Sequence, residues 1–325
     1  MSVLVTGAAG QDGRLLSRML LNQGLEVTGL CKPGDVETLN QYCHGINIIE
    51  VDLTNQKKLV EILNMIQPDQ IYNFAGFSSV HQSWQKPDLV AAVNSLVPAV
   101  ILKWCLDVKP STRLLQASSS EIFGASTTSP QNEFTPHSPI TPYGLSKSFS
   151  HTLVQQFRNE YGLHASNAIL YNHESPLRDA HFVTRKITRA VASIAQGSKE
   201  LIHLGQIQSQ RDWGWAPDYV DAMHRIMGQE MPGDYILATG VAHTVADLLS
   251  FAFQHIGISD YTQYVKYDER NDRHVDPTNL VGSSFLASER LNWAPSKNLE
   301  EIIAAMVDFD LKLISQPESQ WFATF

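Results

Sequence analysis

Tyr143 and Lys147 are separated by three residues, a spacing that stacks two side chains on one face of a helix. An ammonium held beside a phenol favours the phenolate and lowers the phenol pKa toward neutrality. A phenolate so placed can take the proton of a substrate hydroxyl while the carbinol hydride leaves for a nicotinamide. Upstream, Ser118, Ser119, Ser120 and Glu121 follow the apolar run 114–117. Ser119 is suited to hydrogen-bond the reacting hydroxyl beside Tyr143. Glu121 adds an acid or base that simple hydride transfer does not require. The alternative for this run is a turn that caps a helix, with Glu121 as its capping carboxylate. Taken together, Ser119, Glu121, Tyr143 and Lys147 suit an oxidation, an elimination and a reduction on one substrate.

A hydride acceptor needs a binding site, and Gly7, Gly10 and Gly13 supply its pattern. They follow an apolar strand and open a helix, the context in which glycines let the backbone approach a pyrophosphate. Gln11 and Asp12 lie inside the same loop. Asp52 and Leu53 follow a third strand, placed to reach the adenine edge. At the end of the second strand, where an acidic residue commonly binds the ribose 2′-hydroxyl, the chain reads Leu30-Cys31-Lys32. Lys32 favours a 2′-phosphate, so NADP is expected ahead of NAD. Asp35 lies close enough to oppose this, and a solvated lysine is the plain alternative.

The elements that must carry these residues alternate in type. Strands are expected at Ser2–Thr6, 26–30, 46–51, 70–74 and 114–117, with helices at 13–23, Gln56–Ile66, 87–106 and 143–161. This order predicts an α/β, Rossmann-like, doubly wound parallel sheet, and the serine run then falls at its carboxyl edge, where such folds bind ligands. A strand at Ala165–Leu170, a turn-rich segment at 171–179 and a helix carrying Val183, Ile187 and Val191 open a smaller mixed α/β lobe. A strand at 235–239 and amphipathic helices at 244–255 and 299–314 complete it. Residues 1–170 are expected to form the dinucleotide domain and 171–325 mainly the substrate lobe, with segments near 212–240 returning to the first.

A chain of 325 residues with 43% hydrophobic composition can bury a large core. Its net charge of −9 argues against a nucleic-acid or anionic-membrane surface, so anionic ligands must be held by local cations. The three cysteines show no C-x-x-C spacing, which excludes a disulfide framework and a zinc ribbon; no metal is expected. The same cysteine pattern reads as cytoplasmic, and with no basic n-region before the first strand no signal peptide is expected. The apolar run 89–102 contains Asn94, Ser95 and Pro98 and reads as a buried helix rather than a membrane span.

At these residues the chain resembles the extended short-chain dehydrogenase/reductase family, and within it the branch that dehydrates GDP-hexoses. The resemblance rests on Gly10-Gln11-Asp12-Gly13, on 116–124 with Ser119 and Glu121, and on Tyr171-Asn172-His173-Glu174-Ser175-Pro176 running on to Phe182-Val183-Thr184-Arg185-Lys186. Arg211-Asp212-Trp213-Gly214 and Ala238-Thr239-Gly240 extend it over most of the chain. It implies that Tyr143 and Lys147 drive oxidation at C4 of the hexose, and that Glu121 removes the C5 proton and then protonates the departing C6 hydroxyl. It also implies a homodimer or homotetramer and a GDP-sugar ligand contacted by Asn172, Val183 and Lys186. The diphosphate needs cations, for which Arg185, Lys186, Arg211 and Arg273 are suited. Trp213 reads equally as core, and His173 and Glu174 as a buried, hydrogen-bonded polar pair.

Departures from the family pattern bear on selectivity. Ser119 stands where a threonine is common and keeps the hydroxyl. Lys32-Pro33-Gly34 replaces an arginine pair that serves the 2′-phosphate and tetramer formation. Asp276, in Arg273-His274-Val275-Asp276, shortens a carboxylate expected to meet the nucleotide, and Phe77 replaces a glutamine near the sugar. Another GDP-hexose or a GDP-heptose is the alternative substrate these changes raise.

Overall fold

The computed structural model describes residues 1–271 and 280–316. In order, the chain forms β1 (Ser2–Thr6), α1 (Gln11–Asn22), β2 (Glu26–Cys31), α2 (Val36–Tyr42), β3 (Asn47–Glu50), α3 (Gln56–Ile66), β4 (Gln70–Asn73), α4 (Val80–Ser83), α5 (Pro87–Ala91), a π turn (Ala92–Leu96), α6 (Val97–Val108) and β5 (Arg113–Ser119). There follow α7 (Pro142–Tyr161), β6 (Ala165–Leu170), β7 (Asn172–Glu174), α8 (Val183–Ala195), β8 (Ile202–Leu204), β9 (Gln210–Trp215), α9 (Ala216–Met227), β10 (Asp234–Leu237), β11 (Ala242–Thr244), α10 (Val245–His255), β12 (Val265–Tyr267), α11 (Phe285–Leu291) and α12 (Leu299–Ser315).

Seven strands form one parallel sheet in the order β3-β2-β1-β4-β5-β6-β10. The direction of winding reverses between β1 and β4, so the crevice for a ligand opens at their carboxyl ends, beside the glycine loop. Alternation along each strand serves both faces. Val3 and Val5 face a core built with Leu16 and Leu20 of α1 and Tyr219, Val220 and Met223 of α9. Leu4 faces the other, with Leu59 and Leu63 of α3, Ile101 and Trp104 of α6 and Val154 of α7. The expected parallel, doubly wound sheet is therefore present.

Two differences from the sequence reading have physical causes. The apolar stretch Pro87–Val108 is long and apolar enough to cross a membrane, yet half of its most apolar window is buried against the protein. It is also broken by the π turn just before Pro98, a residue that has no N–H for the helical ladder and collides with the carbonyl four residues back. The helix α9 was not expected, although Tyr219, Val220, Met223, Ile226 and Met227 fall at helical spacing and all are buried.

After β6 the chain builds a second, smaller core. There α8, α10 and α12 pack through Ile187, Val191, Leu248, Leu249, Phe253, Ile303 and Val307, with Ile202 and Leu204 of β8. β7, β9 and β11 form a three-stranded sheet, and β8 pairs with β12. Between these elements the chain returns to the large sheet, because α9 packs in the core of α1 and β10 pairs with β6. Asp212 explains why two distant motifs belong together. Its carboxylate accepts from the Thr239 amide at 2.9 Å, the Thr239 hydroxyl at 2.7 Å and the Gly240 amide at 2.8 Å.

Candidate active site

The glycine loop turns β1 into α1 at close quarters. Gly7 has φ +65°, and a Cβ there would stand 2.8 Å from the Ala75 amide nitrogen. A Cβ on Gly13 would collide with the Gly7 carbonyl and Ala8. Gly10 caps α1 with extended backbone and no side chain, which leaves the first amides of the helix open to an anion. A cavity of about 390 Å³ lies against them, lined by Gly10, Gln11, Arg14, Leu177 and Arg178. Bare helix amides beside two arginines fit the pyrophosphate of a dinucleotide, and a side chain at Gly7 or Gly13 would not fit the loop.

Gln11 and Asp12 do more than line the loop. The Gln11 amide donates to the His173 carbonyl at 3.0 Å and accepts from the Ser175 hydroxyl at 2.8 Å. Asp12 faces His173 Nε2 at 3.0 Å through both oxygens, while His173 Nδ1 meets the Tyr171 carbonyl at 2.7 Å. Carboxylate and carbonyl both accept, so with Asp12 ionised both ring nitrogens donate and the arrangement favours the imidazolium form of His173. Burial works to lower its pKa, but the charge and hydrogen bond of Asp12 outweigh that and raise it. The same pair overcomes burial at Asp12 and lowers its pKa. His173 also stacks on Tyr219, centroids 4.8 Å apart.

The main cleft, about 600 Å³, lies between the large sheet and the smaller lobe. Ser119, Glu121, Tyr143 and Lys147 all line it, as do Asp12, Asn172, Val183, Lys186 and Arg211. β5 ends at Ser119, whose hydroxyl accepts the Glu121 amide at 3.3 Å and hydrogen-bonds the Tyr143 phenol. Thr141 caps α7 by accepting the Gly144 amide at 2.9 Å, which starts the helix just ahead of Tyr143. Lys147 lies one turn further on, and its ammonium donates to the Ala117 carbonyl at 2.8 Å.

Electrostatics correct one expectation. Burial pushes the Tyr143 phenol up to about 12, the Glu121 carboxylate adds to the rise, and the Ser119 hydrogen bond opposes it. Lys147 does not bring the phenol toward neutrality, because its ammonium is held on Ala117 and lies 5.9 Å from the ring centroid. Burial lowers Lys147 itself to about 8, with Asp12 working to raise it. Ser118 faces away from the cleft partners of Ser119, its hydroxyl 3.0 Å from His151 Nδ1.

The proposed phosphate ligands separate. Lys186 lies along the cleft and donates to the His203 carbonyl; burial lowers its pKa. Arg211 is buried in the cleft wall. Arg185 points the other way, and its assignment to the diphosphate is corrected. Its guanidinium is buried between α8 and α12, ion-paired with Asp310 and donating to the Pro176 carbonyl at 3.0 Å. Adjacent residues of a helix face directions about 100° apart, and here Lys186 lines the cleft while Arg185 is buried on Asp310. Trp213 is core and cleft wall at once. Lys32 and Asp52 are exposed at the ends of β2 and β3, and Leu53 adjoins Asp52. Asp52 accepts the Thr54 amide at 2.9 Å and hydroxyl at 2.7 Å. Arg273 and Asp276 lie outside the described residues.

Two residues were missed. Arg178 lines both cavities, lies 3.3 Å from Glu174 and stacks 3.5 Å from the Phe182 ring centroid. Its signal was available, since it lies between the two halves of the longest motif. Asn94 sits in the π turn and clamps Phe77 in the cleft wall, accepting its amide at 2.7 Å and donating to its carbonyl at 3.1 Å. Gly76, beside Phe77, lies against the Lys147 ammonium.

A sheet with its winding reversal at a glycine loop, and a serine, tyrosine and lysine at the ends of β5 and α7, define an extended short-chain dehydrogenase/reductase. Its fold matches a UDP-glucose 4-epimerase of Thermotoga maritima with a TM-score of 0.86 and 24% identity, covering 97% of this chain and 100% of that one. It also matches a dTDP-glucose 4,6-dehydratase of Bacillus anthracis, solved with NAD, with a TM-score of 0.83 and 18% identity over 98% of each chain. A family model described as GDP-mannose 4,6 dehydratase matches residues 4–306. GDP-mannose 4,6 dehydratase 1 of Arabidopsis thaliana is 40% identical over 325 residues, 95% of this chain and 90% of that one. The corresponding protein of Sinorhizobium fredii is 35% identical, covering 96% of this chain and 97% of that one. The chain belongs to the GDP-mannose 4,6-dehydratase family, a family of nicotinamide-dependent hydro-lyases.

Proposed function

We propose that this chain converts GDP-mannose to GDP-4-keto-6-deoxymannose, with NADP as its resident cofactor. The observation that carries the reading is Glu121, a buried carboxylate in the same cleft as the hydrogen-bonded Ser119–Tyr143 pair and charged enough toward Tyr143 to raise its pKa. The cofactor would lie along the glycine loop, with Gly10 and Arg178 at its pyrophosphate and Lys32 and Asp52 toward the adenosine end. When bound, it supplies a hydride acceptor at C4 of the hexose and the same hydride as donor at C6.

Tyr143, as its phenolate, receives the C4 hydroxyl proton through a hydrogen bond shared with Ser119, and Lys147 lies one helical turn away with its ammonium on the Ala117 carbonyl. The C4 ketone acidifies C5, whose proton Glu121 takes. Glu121 returns this proton to the C6 hydroxyl, which leaves as water. The double bond so formed accepts hydride at C6 and a proton at C5, which replaces the one lost with the water. That proton is equal to the one Tyr143 took from the C4 hydroxyl, so one water is lost and no external reductant is consumed. Lys186 and Arg211 flank the diphosphate, with Asn172 and Val183 against the sugar nucleotide.

Exposed Leu96 at the end of the π turn that leads into α6, with exposed Leu145 and Phe149 on α7, supports a homodimer formed through this helix pair, and the three buried free thiols suit a cytoplasmic enzyme. The test of function is incubation with GDP-mannose and a trace of NADP, followed by mass spectrometry. Loss of one water from the sugar nucleotide without net cofactor reduction is the expected result. Stoichiometric oxidation of added NADPH would make the chain a ketosugar reductase instead, and binding without turnover a silent nucleotide binder.

A further inference from the structure

We propose that Glu50 is a second determinant of cofactor choice, set against Lys32, so that the protein binds NAD nearly as well as NADP. The proposal rests on the cofactor reading given above. β2 and β3 are neighbouring parallel strands in which Cys31 is in register with Glu50, the last residue of β3. From there the Glu50 side chain reaches over the end of β2, where its Oε1 accepts the Gly34 amide at 2.9 Å. Gly34 belongs to a tight turn that begins at Lys32, closed by the Asp35 amide donating to the Lys32 carbonyl at 3.1 Å. One four-residue turn therefore carries the lysine and anchors the carboxylate.

The position matters because this fold reads the ribose 2′ group at the tip of the second strand. A carboxylate there accepts from a 2′-hydroxyl and repels a 2′-phosphate; an ammonium does the reverse. The end of β2 itself carries no acidic residue; Asp35 at the close of the turn and Glu50 on the adjacent strand are the carboxylates that act on it, and Glu50 is the one anchored to the turn through its side chain. Asp52 is turned toward its own loop, where it accepts both the amide and the hydroxyl of Thr54, whereas Glu50 accepts the Gly34 amide across the end of β2. Lys32 and Glu50 are both exposed, so each charge is screened, and the two act with opposite sign.

The test is equilibrium binding of NADPH and NADH to the purified full chain, read by nucleotide fluorescence without turnover. Glu50→Gln keeps an oxygen for the Gly34 amide and removes only the charge. It should tighten NADPH about fivefold, the scale for charges a few ångströms apart in water, and leave NADH unchanged or weaker. Lys32→Ala should weaken NADPH alone, and the wild-type affinities should lie within about tenfold of each other. Equal shifts for both nucleotides in Glu50→Gln, or none, overturn the role of Glu50 even if Lys32→Ala behaves as expected. Wild-type protein that binds NADH and rejects NADPH would instead overturn the NADP reading, which the Lys32 variant tests separately.

Discussion

Replacing Arg185 by methionine should destabilise the protein without touching its ligand site. Arg185 and Asp310 are both buried, at 5% and 2% exposure, and form an ion pair that joins α8 to α12. Asp310 Oδ1 has no hydrogen-bond partner among the described residues, so Arg185 carries most of the compensation for that buried charge. Removing the guanidinium leaves the carboxylate uncompensated, which costs about 3–5 kcal/mol. It also removes the donor to the Pro176 carbonyl, worth roughly 1 kcal/mol. The melting temperature should fall by roughly 5–10 °C.

Arg185→Met combined with Asp310→Leu takes both charges away and fills the space with apolar atoms. Such replacements are neutral or stabilising by about 1–4 kcal/mol, so the double variant should recover most of the loss. The four proteins form a thermodynamic cycle whose coupling energy is read by chemical denaturation, and calorimetric titration with GDP adds the ligand readout. GDP affinity should be unchanged in the double variant, because Arg185 faces away from the cleft. A single variant that keeps its stability but loses GDP binding, or a double variant no more stable than the single, would refute this account and return Arg185 to the diphosphate.

Glu121→Gln should bind cofactor and GDP-mannose yet fail to exchange the C5 proton with deuterated solvent; normal exchange would remove Glu121 as the base. Lys147, lowered to about 8 by burial, should give kcat/KM a limb that falls above about pH 8 as the ammonium is lost. Asp12 works to raise that value, so Asp12→Asn should move the limb to lower pH, and an unmoved limb would assign it to another group. Asn94→Ala strands the Phe77 amide and should cost about 1–3 kcal/mol in urea denaturation; an unchanged midpoint would show that the π turn does not depend on the clamp.

Short-range spacing determined a large part of this protein. The alternation of β1 to β5 with their helices, the glycine loop and the four-residue step from Tyr143 to Lys147 are readable because each reflects contacts between residues close in the chain, with periods of 2 or 3.6. The motifs joining His173 to Lys186 and ending at Gly240 located a second set of residues, and the family followed from them. Cofactor selectivity was legible as an unusual sequence at Lys32-Pro33-Gly34 with Asp35 beside it, while the contribution proposed for Glu50 comes from another strand.

Tertiary structure decided what side chains do once in place. Arg185 and Lys186 look alike in sequence, but packing of α8 on α12 turns one toward Asp310 and leaves the other along the cleft. Gln11 and Asp12 read as cofactor contacts, yet they also tie the glycine loop to residues more than 160 positions away. The return of α9 and β10 to the large sheet depends on β6 offering an open edge, which no local pattern records. The pKa of Tyr143 depended on the enclosure of the cleft and the distance to Lys147. Sequence determined which groups were available, and long-range packing decided their directions and charges, because burial and facing are set by partners distant in the chain.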